Sequence, residues 1–444
     1  MHTILVIGAG RSSTALIDYL GKLAPMHGWN LIISDAFLPL AQEKAQAYTQ
    51  ASALALDVMD AHQRQSAIGL ADVVISLLPA SLHPLVAIDC LTLGKHLLTA
   101  SYVSPEMKAL DGEAKAKGLL FLNEMGLDPG IDHLSAMRLI HQIQAAGGEI
   151  TSFKSFCGGL IAPQSDGNPW GYKFTWNPRN VVLAGQSTAV YLHQGQLREV
   201  PYSELFTHTE TIYVKGYGTF EAYPNRDSLG YQSIYGLPAV ETMLRGTLRR
   251  PGYCAAWNVL VQLGMTDDHS MINNSDGLTL SNFTDHYLPS NGTLLERLAH
   301  QTGLSVTDPA LQKVAWLELD HYTPIGLVNA TPAQVLQQLL EKKWQMHPND
   351  RDLIVMQHQF IYTLQGKSHG LTSSLAVEGD DSVRTAMAKT VGLPLGIAAK
   401  LLLQGRIAQR GVVIPVDREI YEPVLDELAE LGVVFEEEEV IKEE

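Results

Sequence analysis

The sequence predicts an α/β protein: a Rossmann-like, doubly wound parallel sheet at the N-terminus, a second α/β (α+β) domain with a mixed sheet, and a helical insert. Three observations carry this. The first third alternates short β-branched runs with longer helical patterns, as parallel strands joined by helical crossovers require. Its first strand pattern, "TILVI", runs through Gly-Ala-Gly into a helix. Beyond residue 150 the chain becomes rich in glycine, aromatics and strand-like runs, and from about 270 to 350 it turns helical.

The elements of the first third follow in order. "TILVI", "NLIIS", "ALAL", "DVVISLL", "KHLLTA" and "LLFL" are the strands, and "STALIDYLGKL", "LPLAQEKAQAY", "AHQRQSAIG", "HPLVAIDCLTLG" and "PEMKALDGEAKAKG" are the helices between them. In such sheets ligands sit beyond the carboxyl ends of the strands. The residues there are Gly8 to Ser13, Asp35, Asp57, Pro79, Ser101 with Tyr102, and the segment after "LLFL". Gly8 and Gly10 suit a tight turn and a close approach to a pyrophosphate, whose charge meets the helix N-terminus that begins at Arg11, Ser12 and Ser13. Ser13 stands where a third glycine is usual and is small enough to keep the helix close to the strand. Asp35 lies 25 positions beyond Gly10, where a carboxylate binds the adenosine ribose and repels a 2′-phosphate. No cation adjoins it, so NAD is favoured over NADP as cofactor.

"NEMGLDPGIDHLSAMRLIHQI" follows the sixth strand, placing Asp128 at a strand exit and a helix behind it with Asp132 as its expected cap. Further on, "PNRDS" and "LRGTLRR" offer Arg226 and Arg245 or Arg249 as clamps for an acidic substrate, because a guanidinium fork matches a carboxylate, and Lys173 in "GYKF" could serve similarly. In the last third Thr331-Pro332 reads as an N-cap with proline at the first helical position. "DLIVMQHQFIYTL" and "LTSSLAV" resume strand alternation, and "EEEEVIKEE" reads as a solvated acidic end.

Composition limits the function. With 444 residues, 46% hydrophobic and 18% charged, the chain can bury two or three cores. Its net charge of -16 repels phosphate backbones and anionic lipid, which argues against nucleic acid and membrane partners and for a small-molecule substrate. No apolar run reaches the roughly 18 residues of a membrane span. Cys90, Cys157 and Cys254 are too scattered for a disulfide framework, and a cytoplasmic location is expected. The 16 histidines show no ligand spacing, so no metal is expected.

The motifs "GAGRSS", "TASYVSPEM", "NEMGLDPGIDHLSA", "FCGGLIAPQSDGNPWGYKFTWNPRNVVLAG", "YPNRDS" and "LRGTLR" together resemble the glutamate-forming saccharopine dehydrogenases, also called saccharopine reductases. The resemblance runs along essentially the whole chain. It implies an oxidoreductase of lysine metabolism that interconverts saccharopine with L-glutamate and 2-aminoadipate 6-semialdehyde, using a nicotinamide cofactor. It implies cofactor contacts at Asp57 and Val58, Pro79, Ala100 and Ser101, and Leu127, Asp128 and Pro129. Substrate contacts carry over to Ser101, Tyr102, Asp128, Arg226 and Thr247, with Cys157 lining the same cleft. Asp128, Tyr102 and Cys157 then serve as catalytic residues that orient the amine and a water molecule. It also implies a homodimer, and a cofactor domain of residues 1–125 and 395–444, a substrate domain of 126–270 and 351–394, and an insert of 271–350. Fungal relatives favour NADP and carry a basic residue after the second strand, where this chain has Asp35. A dehydrogenase of a carboxylated polyamine or other N-linked amino acid is the alternative, and a non-catalytic NAD sensor is a third reading.

Overall fold

The computed structural model describes residues 2–442, which pack into two compact units. The first comprises the chain up to Glu149 with Arg351–Ile354 and Leu375–Glu436; the second comprises Ile150–Asp350, Val355–Ser374 and the residues from Glu437 on.

The first unit holds the expected parallel sheet. Its strands are β1 (Thr3–Ile7), β2 (Asn30–Asp35), β3 (Ala51–Ala55), β4 (Val73–Ser76), β5 (His96–Thr99) and β6 (Leu120–Leu122). They run in the order β6-β5-β4-β1-β2-β3, with Gly411–Val413 added beside β6, and every pair is parallel. The order reverses between β1 and β4, which is where a doubly wound sheet opens a crevice for a ligand. Helix α1 (Thr14–His27) lies against Ala386–Leu403. A Cβ at Gly392 would come within 2.8 Å of the Leu16 nitrogen, and one at Gly396 within 2.6 Å of the Tyr19 ring, so these glycines allow the close helix contact. Ala386–Leu403 is long and apolar enough to cross a membrane, yet 78% of it is buried here as a core helix.

Several boundaries differ from expectation. Ile131–Ala145 belongs to the first unit, not to the substrate domain, because it packs against Arg418–Glu430, with His141 Nδ1 2.7 Å from the Tyr421 hydroxyl. The chain returns to the first unit at Arg351–Ile354 and again from Leu375, not at 395, so the whole of Ala386–Leu403 packs there. Asp132 is not the cap of Ile131–Ala145. Gly130 occupies that position, and Asp132 in the first turn accepts the Gly130 N–H at 2.6 Å. "PEMKALDGEAKAKG" divides at Leu110 into Pro105–Ala109 and Asp111–Ala116.

The second unit is built on the mixed sheet. Thr242–Arg249 runs parallel to Glu149–Ile161 on one side and antiparallel to Gly218–Pro224 on the other. Asp352–Leu364 and Lys367–Glu378 continue the sheet. The region 271–350 forms no separate body. Its Leu280, Phe283, Leu311, Leu336 and Trp344 share one apolar core with Trp170 and Trp257. Thr331 does cap Pro332–Lys343, in a reciprocal box with Gln334. The acidic end is solvated as expected, Glu436 to Glu439 being exposed, and it also forms a strand: Phe435–Lys442 lies beside Lys367–Glu378, with Glu438 3.1 Å from Lys215. Residues 443–444 lie outside the described residues.

Candidate functional site

In the first unit the turn after β1 has the shape that a dinucleotide requires. Gly8 has φ +107, a conformation that side chains resist, and its N–H bonds the Ser34 carbonyl at 2.8 Å. A Cβ at Gly10 would meet no protein atom within 4 Å, so nothing in the protein's own packing demands a glycine there. A backbone approached closely by a pyrophosphate does demand one. A single 3₁₀ turn, Arg11–Ser13, leads into α1, and its first N–H groups have no preceding helical carbonyl to bond. Ser13 is buried and donates its hydroxyl to the Gly10 carbonyl at 2.7 Å, closing the turn by a bond that glycine could not make. Asp35, at the end of β2, is half-buried and accepts the N–H groups of Ala9 and Phe37, both at 2.9 Å. Its carboxylate is thereby fixed beside the glycine turn. Next to it Val58 is buried and Asp57 exposed; Arg64 supports this loop, giving 2.5 Å to the Val58 carbonyl and 2.6 Å to buried Asp89. Pro79 stands exposed beyond β4.

A polar network forms at the ends of β4, β5 and β6. The Tyr102 hydroxyl donates to Asp128 at 3.2 Å. Asp128 sits in a loop closed on itself, with the Gly126 N–H on the Pro129 carbonyl at 2.9 Å. A Cβ at Gly130 would lie 2.0 Å from the Gly126 oxygen, so "GLDPG" is a requirement of shape as well as an ordinary turn sequence. Leu127 is buried, and Ala100 and Ser101 are half-buried at the rim of β5. Two residues that the sequence reading did not single out hold this rim. Glu124, buried with φ +55, accepts the Val103 N–H at 3.0 Å and faces His133 Nε2 at 2.8 Å. His83 joins Ser76 to Ser101, and burial pushes its pKa down to about 4, so it is neutral at physiological pH.

In the second unit, strand alternation puts Arg245, Thr247 and Arg249 on one face of Thr242–Arg249. Cys157 and Tyr223 are the cross-strand neighbours of Thr247, on its two sides. Arg245 is buried, its guanidinium 4.4 Å from the centre of the Tyr231 ring. Arg249 is 4% exposed and lies 5.2 to 5.8 Å from the rings of Tyr253, Tyr172 and Tyr223. Among the described residues no carboxylate pairs with it, and its Nε and the Tyr172 hydroxyl have no hydrogen-bond partner. Burial acts to lower its pKa and the tyrosines to raise it, and the guanidinium keeps its charge because its ordinary pKa lies far above physiological pH. Burial likewise raises the pKa of Tyr172, Tyr223 and Tyr253, which stay protonated. Arg226 is exposed in the left-handed region, φ +49, with its carbonyl held by the Val190 N–H at 2.8 Å. Lys173 differs from the clamp expected of it: its ammonium lies 2.6 Å from Asp350, so a partner within the protein already meets its charge.

Comparison with known proteins bears on both units. The family "Saccharopine dehydrogenase NADP binding domain" matches residues 4–122, and "Saccharopine dehydrogenase C-terminal domain" matches 126–433. A saccharopine dehydrogenase [NADP(+), L-glutamate-forming] of Schizosaccharomyces pombe is 33% identical over 455 aligned residues, covering 100% of both chains. The mitochondrial alpha-aminoadipic semialdehyde synthase of Rattus norvegicus is 34% identical across 99% of this chain and 48% of its own length. The structure of the apo L-Glu-forming saccharopine dehydrogenase from Saccharomyces cerevisiae superimposes with a TM-score of 0.89 at 33% identity, covering 99% of this chain and 100% of that one.

Proposed function

The chain belongs to the saccharopine dehydrogenase family, and from that premise we propose that it interconverts saccharopine with L-glutamate and 2-aminoadipate 6-semialdehyde. The observation that carries the reading is the 33% identity that runs the full length of both chains. The reaction is a hydride transfer, and a bound nicotinamide supplies the hydride acceptor or donor. In the oxidative direction the secondary amine must be neutral, its adjacent carbon loses hydride, water adds to the resulting imine, and the adduct collapses to glutamate and the aldehyde. The Tyr102–Asp128 pair, at 3.2 Å, suits a role in orienting the amine and the water by hydrogen bonds. Cys157, beside Thr247, takes a positioning role in the same reading. Arg226, Arg245 and Arg249 are the donors for the substrate's carboxylates, and Arg249 suits this best because among the described residues no carboxylate forms an ion pair with it. Saccharopine-dependent reduction of the cofactor with glutamate among the products tests the reading; turnover without glutamate rejects it.

Between the two dinucleotides, Asp35 supports NAD. A 2′-phosphate there would meet a fixed like charge, for a preference of roughly tenfold to a hundredfold in catalytic efficiency. The names of the fungal relatives and of the matching N-terminal family speak for NADP and lend this preference no support. Equal or better use of NADP by the wild type would mean that Asp35 does not govern the ribose. A homodimer in the cytoplasm completes the proposal; sedimentation at the 48.6 kDa of one chain contradicts the first part, and cell fractionation tests the second.

A further inference from the structure

A chain of three side chains runs through the first unit from the sheet to the rim of the site. Ser76 ends β4, His83 begins the helix His83–Leu93, and Ser101 follows β5. Ser76 Oγ lies 3.0 Å from His83 Nδ1, and His83 Nε2 lies 2.9 Å from Ser101 Oγ. Ser76 is fully buried, His83 nearly so, and Ser101 half-exposed where strand-end ligands bind.

Hydrogen-bond accounting gives this chain a direction. A neutral imidazole has one N–H and one accepting nitrogen. If Nδ1 carried the proton, Ser76 would accept it, and the buried Ser76 O–H would need an acceptor of its own. None exists for it among the described residues other than His83. Leaving a buried donor unpaired is costly, so Ser76 donates to Nδ1 and the proton sits on Nε2. His83 then donates to Ser101 Oγ, and the Ser101 O–H is left pointing outward as a donor.

We infer that His83 is a positioning residue that commits the Ser101 hydroxyl to donating, so that the ligand atom met by Ser101 is an acceptor oxygen, a carboxylate oxygen of the substrate or a phosphate or carboxamide oxygen of the cofactor. The protein end of this inference stands on the geometry alone; the ligand end rests on the proposed function. The low pKa of His83 agrees with it, since a protonated ring would force Ser76 to accept and leave its O–H unpaired.

Two measurements test it. In selectively ¹⁵N-labelled full-length protein at neutral pH, His83 is expected as the neutral Nε2–H tautomer, and an Nδ1–H tautomer overturns the inference whether or not saccharopine is the substrate. In kinetics, Ser101→Ala and His83→Leu should each raise one ligand constant about tenfold, with kcat changed much less. A rise in the KM for saccharopine identifies a substrate carboxylate, and a rise in the NADH dissociation constant by fluorescence identifies a cofactor oxygen. The double variant should be no worse than either single variant, because both remove the same bond. His83→Gln, which keeps an N–H donor at similar reach, should recover most of the loss. Undiminished effects of His83→Leu in the Ser101→Ala background, or wild-type constants in a folded His83→Leu, would show that His83 does not act through Ser101.

Discussion

The buried network around His83 and Glu124 in the first unit and Arg249 in the second are satisfied in opposite ways. In the first, Glu124 faces His133 and accepts a backbone N–H, His83 is bonded at both nitrogens, and buried Asp352 accepts the N–H groups of Ala386 and Met387 at 2.6 and 2.9 Å. In the second, Arg249 keeps its charge among three tyrosine rings with Nε unpaired. Cation–π contacts, worth about 0.5–2 kcal/mol each, offset only part of the several kcal/mol needed to bury an ion. The difference separates two kinds of site residue. The first network completes itself and holds a shape; the arginine leaves an electrostatic demand, which the proposed function meets with a substrate carboxylate.

This contrast is sharpest in a variant that removes the demand. Arg249→Met should lower kcat/KM for saccharopine about 10²–10³-fold, the effect of deleting a charge-assisted bond to a carboxylate in a desolvated site. Its thermal midpoint should hold or rise, because apolar replacement of a buried ion is often neutral or stabilising. A midpoint that falls with activity would put Arg249 among the residues that hold the fold, and the contrast would break. Glu124→Leu should do the reverse. It removes the acceptor of the Val103 N–H and the carboxylate that faces His133, and the denaturant midpoint should fall by an amount worth about 1–3 kcal/mol. An unchanged midpoint would mean that the rim does not depend on this pair.

His83 gives a pH signature. Its folded pKa, about 4, lies below the ordinary 6.5, so between these values the unfolded chain binds more protons than the folded one. The stability is fully present above pH 6.5 and is lost as pH falls towards 4, for a contribution of about 3 kcal/mol at most. The loss of stability across this window, followed by urea titration, should be shallower in His83→Gln than in the wild type. Parallel profiles would show that other groups govern the acid limb.

How much of this was legible follows from how local each signal is. Strands β1 to β6 could be read because β-branched runs punctuated by helical periods specify parallel strands. Gly411–Val413 could not: three residues carry no periodicity, and the strand exists only because β6 offers an edge to pair with. The assignment of Ile131–Ala145 to the first unit depends on Arg418–Glu430, far along the chain; the acidic residues from Glu436 could be read as solvated, but not as a strand, because the sheet edge they pair with is a tertiary fact. At the site, Gly8, Gly10, Asp35 and Asp128 sit in motifs whose spacing reflects a single turn. Arg245, Thr247 and Arg249 recur at every second position, a signal that does place them on one face. The cage around Arg249 is drawn from Tyr172, Tyr223 and Tyr253 on three segments, and His83 meets Ser76 at the end of β4 and Ser101 beyond β5, so neither has a linear signature.

The claim that Arg249 answers a substrate carboxylate is tested most directly by ligand-linked stability. Wild type and Arg249→Met are melted alone and with saturating saccharopine and NADH, a combination that binds without turnover. A ligand that binds only the folded state raises its midpoint. The account predicts a clear rise for the wild type and a much smaller one for Arg249→Met at the same concentrations; equal rises in the two proteins would contradict it.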